Sequence, residues 1–267
     1  SSMLARVLSL SAPYFLFCIS FAVALFIYLV YAGYIYKKDL FKRLRQIPAK
    51  YYFIGLLGYY AIWIGNTESF QSYDSASETT VLNYTWLIFT VFFSELIFNR
   101  PGRFTKKTAL SYLGIVFCFA SVYLLAVEGN LRSFDFRNTE GLLWGLGGGI
   151  SYGLFSAYSS KIPKDKHPLF LIAAVSSSLI AMLATTVFQN ISLDQVISEI
   201  TLNDVLAALG LGILVDALGY IMWTKSLHVA IKKGINISKI ASIIFVLPLL
   251  SLIIVSVTFK EDLVFQK

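Results

Sequence analysis

The chain has 267 residues, 57% of them hydrophobic and 14% charged, with a formal net charge of +7 and a mean hydropathy of +0.71. A soluble domain carries about 25% charged residues; here the missing charge is replaced by long apolar blocks, which excludes a soluble fold. The basic excess is parcelled into short connections between those blocks, which argues against a nucleic-acid surface. The alternating segments of about ten residues that mark a transmembrane β-barrel are also absent.

A bilayer-spanning helix needs about 20 mostly apolar residues. Eight such blocks follow one another, at 12–36, 51–71, 79–98, 108–127, 141–160, 167–189, 205–224 and 236–259. The predicted fold class is an all-α membrane protein, a polytopic helical bundle forming one integrated membrane domain. The first block is long and lacks a small-residue cleavage site, so it reads as a retained helix rather than a signal peptide. Its Cys18, like Cys118 in the fourth block, reads as a small packing residue, and no disulfide framework is implied. A basic connection follows, with Lys37, Lys38, Lys42, Arg43, Arg45 and Lys50. The second block ends in "IGNTESF", where Glu68 either lines an outer mouth or reaches headgroup water. The connection 72–78 holds Asp74 and Glu78 and no base.

The third block contains "VLNYTWLIFTVFFSEL". On a helix, Asn83, Trp86, Thr90 and Ser94 share one face, with Tyr84 about 100° round from Asn83. Polar side chains facing lipid would lack partners. The stripe therefore faces either neighbouring helices, as interhelical hydrogen-bonding groups, or a wet cavity. In the second case it is a binding wall: Asn83 offers donor and acceptor, and Tyr84 and Trp86 offer rings with polar tips. Glu95, near the inner end, either snorkels or pairs with the next basic loop as a gate. That loop carries Arg100, Arg103, Lys106 and Lys107, and the connection 128–140, after the fourth block, is mixed in charge.

In the fifth block, "GLLWGLGGGISYG", Gly141, Gly145, Gly149 and Gly153 recur every fourth position, a spacing that lets helices approach closely. Gly147 and Gly148 offer a hinge, and Tyr152 is a candidate cavity wall. Lys161, Lys164 and Lys166 precede the sixth block, and the acidic stretch 190–204 follows it. The seventh block carries Asp216 in mid-span, where a charge costs about 2.5–3.5 kcal/mol on insertion scales. Asp216 must face the bundle or water. It either binds a substrate ammonium, a proton or a cation, or sits as a neutral carboxyl bonded to a neighbouring helix. Lys225, near the inner end, is expected to snorkel. Pro248 interrupts the eighth block and frees a carbonyl, as a kink or as a gate.

The basic connections alternate with the acidic ones, and only Arg132 and Arg137 fall on the acidic side. Lys/Arg bias fixes orientation, so the basic turns are expected to be cytoplasmic and the first helix to run outside to inside. The segments 51–98 and 205–259 look alike but have opposite expected topology, the mark of inverted-repeat transporters. The halves are 1–130 and 131–267. The count of eight spans suggests a ten-helix parent whose first and last helices lie outside this sequence.

The stretch from Arg43 to Phe98 resembles the first half of drug/metabolite transporters of the EamA type. It is most similar to the YddG-type aromatic amino-acid exporters. Their fourth helix carries Asn-Tyr-x-Trp-Pro; Asn83, Tyr84 and Trp86 match it, with Leu87 where the proline would be. "ALGYIMWTKSL" and "ISKIASIIFVLPLLSLI", with Trp223 and Pro248, resemble helices eight and nine. Tyr152 stands where a sixth-helix tryptophan is usual. The resemblance implies two inverted halves whose visible helices correspond to 2–5 and 6–9, cytoplasmic termini and a central cavity.

The expected function is a secondary transporter or facilitator of the plasma (inner) membrane, exporting a small metabolite, amino acids foremost, by alternating access. The substrate-binding candidates are Asn83, Tyr84, Trp86, Tyr152 and Asp216; the candidate coupling or gating groups are Glu68, Glu95 and Pro248. The expected partners are the small-molecule substrate, the lipid bilayer and a coupling proton at Asp216 or Glu68, with no nucleic acid. Oligomeric state is left open. The alternatives are a carrier of sugar-phosphate or nucleotide-sugar metabolites, disfavoured by the scarcity of intramembrane bases, and a non-transporting scaffold. No phosphate loop or zinc-like His/Cys spacing occurs, so neither an enzyme nor a cofactor or metal is expected.

Overall fold

A computed structural model of the chain describes residues 13–73, 76–98, 137–189 and 198–235, with isolated positions between 109 and 124 and at 240 and 243. Most of the expected spans 108–127 and 236–259, Pro248 and the basic loop beyond Glu95 lie outside the described residues. Every described element is a helix or a turn, and no strand occurs among them.

Among the described residues, six long helices carry the fold. Helix α1 spans Pro13–Tyr36, and a turn through Lys37–Asp39 and Leu40–Leu44 extends it. Helix α2 is built of Ala49–Gly55, a π-helical segment Leu56–Tyr60 and Ala61–Tyr73. Helices α3, α4 and α5 span Ala76–Phe98, Thr139–Ser159 and His167–Phe188. Helix α6 runs through Leu202–Gly210, a π-helical segment Leu211–Gly219 and Tyr220–Lys232. Four of the described stretches are long and apolar enough to cross a membrane: Pro13–Leu44, Glu78–Ile97, His167–Phe188 and Leu202–Lys232. The chain thus fits an all-α integral membrane protein. In α4 the glycines, and in α2 the tyrosines and the polar run from Asn66 to Tyr73, dilute the apolar character.

Side-chain caps fix where α4 and α6 begin. The Asn138 side chain accepts from the Gly141 amide at 3.0 Å and donates to the Ser72 carbonyl at 2.8 Å, joining the end of α2 to the start of α4. Thr201 and Asp204 form a reciprocal capping box at the start of α6. At its far end Gly234 takes φ 65°, and the Ile235 amide reaches back to the Ala230 carbonyl at 2.8 Å. This is the six-residue return that favours glycine after a helix.

Helix α4 lies against α2 and α3, α5 lies against α1 and α2, and α1 also packs on α6. The glycine ladder explains the α3–α4 contact. A Cβ on Gly145 would come within 2.7 Å of Leu82, on Gly149 within 2.2 Å of Thr85 Oγ1, and on Gly153 within 2.4 Å of Phe89. Gly65 and Gly148 bring α2 and α4 into similar proximity, whereas Gly147 faces open space. The bundle buries rings at its centre and turns Phe26, Phe188, Leu214 and Met222 outward, as a lipid solvent permits.

Candidate functional site

Asp216 sits inside the π segment of α6 and is 0% exposed. Its two carboxyl oxygens have different partners. Ser20 of α1 donates to Oδ2 at 2.5 Å, and the Trp63 indole N–H of α2 donates to Oδ1 at 3.1 Å. The main-chain carbonyl of Asp216 is also engaged, by the hydroxyls of Tyr28 at 2.5 Å and Tyr59 at 3.1 Å. Those hydroxyls are 2.5 Å apart. Two hydroxyl protons can make only two of these three contacts as hydrogen bonds at a time. The node joins three helices, and Tyr59 belongs to the π segment of α2.

Rings lead away from the node. Tyr59 stacks on Tyr220 with centroids 3.9 Å apart. Tyr220 meets Tyr152 edge-on at 5.4 Å, Tyr152 meets Trp86 edge-on at 4.9 Å, and Trp86 meets Trp223 edge-on at 5.2 Å. The Trp223 indole donates to Ser156 Oγ at 3.1 Å. The three edge-on contacts have the geometry the ring quadrupole favours. The run links α2, α6, α4 and α3, and it brings Trp86, Tyr152 and Asp216 into one connected cluster.

The other candidates are placed less centrally. Asn83 and Tyr84 are half-buried on α3. Tyr84 packs beside Leu87, Val91, Trp223 and Leu227, at the far end of the ring run. Thr90 and Ser94 are buried, and the Thr90 hydroxyl donates to the Trp86 carbonyl of its own helix at 2.8 Å. That bond satisfies Thr90 without a ligand, whereas the buried Ser94 hydroxyl has no hydrogen-bond partner among the described residues. Glu68 is half-buried and accepts from the hydroxyl of fully buried Tyr14. Glu95 is half-buried near the C-terminal end of α3. Lys225 is exposed with its ammonium 5.1 Å from the Tyr31 ring centre, within cation–π range.

Ser20, Tyr28, Tyr59 and Trp63 were not singled out from sequence. A serine or tyrosine in a membrane helix is too common to stand out, and their partner lies far along the chain. The available signal was Asp216 itself: a mid-span carboxyl requires donors, and Ser20 and Trp63 are donors on two other apolar blocks. No family model, curated protein or solved structure matches the chain.

Proposed function

We propose that this protein is a secondary transporter or facilitator of small metabolites, amino acids foremost, acting as an exporter in the plasma (inner) membrane with its basic turns cytoplasmic. One observation carries the reading: a fully buried mid-span carboxyl, held by donors from two other helices, lies at the head of an aromatic run that ends at Trp86 and Trp223. Intramembrane ionisable groups are costly and mark substrate or ion pathways. Rings with polar tips suit a small amphipathic solute.

In this reading the solute lies between the halves, against Trp86 and Tyr152, with Asn83 and Tyr84 extending the wall and Asp216 at its polar end. The halves 1–130 and 131–267 rock about it and expose it alternately to the two sides. The test is counterflow of labelled amino acids in proteoliposomes, with Trp86→Ala as the comparison. Saturable exchange that falls at least tenfold in a folded Trp86→Ala protein supports the wall. Wild-type flux in that variant sinks it. Absence of amino-acid exchange by the folded wild-type protein redirects the search to other metabolites, and then to a scaffold role.

A further inference from the structure

We infer that Asp216 is a reversible proton-binding site, and that the proton rather than a metal cation or a substrate ammonium is what its carboxyl carries. The inference rests on the transport reading and names its coupling ion.

The partners of the two oxygens make the distinction. Trp63 Nε1 can only donate, so Oδ1 must accept in every protonation state. Ser20 Oγ can donate or accept. With the carboxyl ionised, Ser20 donates to Oδ2, as the 2.5 Å contact allows. With the carboxyl protonated, a new O–H bond forms at Oδ2 and points at Ser20 Oγ. The serine proton then turns to the carbonyl one turn back on its own helix. Thr67, Thr90 and Thr186 of this chain already make such bonds, at 2.9, 2.8 and 2.9 Å. Both states keep the two carboxyl oxygens and the Ser20 hydroxyl paired.

A metal cation would find a different environment. It needs several oxygen lone pairs converging on one point. Here Oδ1 is held by an N–H that can only donate, which leaves Oδ2 and the Ser20 hydroxyl oxygen, and the Asp216 carbonyl is covered by two tyrosine hydroxyls. An ammonium brings three N–H donors, and Oδ1 is already taken by the Trp63 N–H. A proton needs one acceptor and has it.

The groups facing Asp216 do not supply a standing counter-charge. From α1 the titratable neighbour is Tyr28, from α2 it is Tyr59, from α4 it is Tyr152, and from α6 itself it is Tyr220. Among the described residues no Lys, Arg or His acts on the carboxyl. Lys225 sits over Tyr31, and Glu68 is engaged with Tyr14. Neutrality must come from a proton delivered from whichever side the site opens to, and returned to water on the other.

The test reads the carboxyl directly. Infrared difference spectra of the purified protein across a pH series should show a protonated-carboxyl C=O band that disappears as pH rises. Asp216→Asn, which keeps the shape and the Trp63 and Ser20 partners of the protonated form, should lack that band. Trp63→Phe should keep it but move it to higher frequency, because the C=O loses its N–H donor. A wild-type spectrum without a titrating band that Asp216→Asn removes overturns the proton site, whatever the flux assays give. So does a band that alkali cations displace at constant pH. In proteoliposomes, a pH gradient should drive net wild-type flux, and Asp216→Asn should show no flux driven by it. If the band titrates yet no solute is exchanged, the proton site stands and the transport reading falls.

Discussion

Gly153→Ala, measured beside Gly147→Ala, tests whether backbone contact between α3 and α4 sets the position of the ring run. A Cβ at 153 would lie 2.4 Å from Phe89 Cβ, 2.8 Å from the Phe89 carbonyl carbon and 2.9 Å from the Thr90 amide nitrogen. Two of these are backbone atoms, so no rotamer change relieves the clash and the helices must separate. Overpacking of this kind costs about 1–3 kcal/mol. Alanine also gains about 0.8–1 kcal/mol over glycine in a helix interior. At position 147 no atom lies within 4 Å of the added Cβ, so only the gain applies. The propensity term is common to both variants, and their difference isolates the steric term at about 1–3 kcal/mol. Reversible unfolding in mixed micelles titrated with SDS measures it. Separation at Gly153 should also draw Trp86 off Tyr152 and lower flux. Equal stability of the two variants would refute the contact, and an unaltered flux in a clearly destabilised Gly153→Ala would uncouple the ladder from the site.

Tyr28→Phe alone should cost only about 0.5–1.5 kcal/mol, because Tyr59 remains on the Asp216 carbonyl. Tyr28→Phe with Tyr59→Phe should cost more than the sum of the single changes, since the carbonyl then loses both side-chain donors; strict additivity in the same unfolding assay argues against a shared node. Orientation is tested by single cysteines in a background without Cys18 and Cys118. Lys164→Cys and Asn203→Cys flank α5 on its two sides in the chain, and both positions are exposed. A membrane-impermeant thiol reagent should label the first only from the cytoplasmic face and the second only from the other, and the reverse pattern overturns the assignment of sides.

Apolar block length made the helices legible, because nothing but a helix or a closed barrel hides its backbone polar groups in lipid. The four-residue glycine spacing likewise pointed to close helix contact, and the Cβ positions on α4 bear that out. Asp216 stood out because one carboxyl in an apolar span is conspicuous. Its partners did not stand out, since Ser20 and Trp63 are 196 and 153 positions away and no local pattern encodes such pairings. The polar stripe of α3 was legible as a stripe only. Periodicity cannot say that Thr90 bonds its own helix while Trp86 meets Tyr152.

The π segments were invisible for a separate reason. A π turn shows in a sequence as a break in the apolar period, and α6 is apolar on nearly every side between Val205 and Gly219. The π-helix is rare and occurs mostly as single-turn bulges, frequently at functional sites. The segment Leu211–Gly219 has nine residues, and its support is tertiary. Tyr28 and Tyr59 donate to its Asp216 carbonyl, while Ser20 and Trp63 hold the side chain of the same residue. Tyr59 in turn lies in the other π segment. The two irregular windings thus meet at one residue, and each supplies a partner the other uses. A change of protonation at Asp216 alters the Ser20 contact first, and through Asp216 it acts on α1, α2 and α6 together. That gives a small chemical event a route to helix rearrangement without a second charged group.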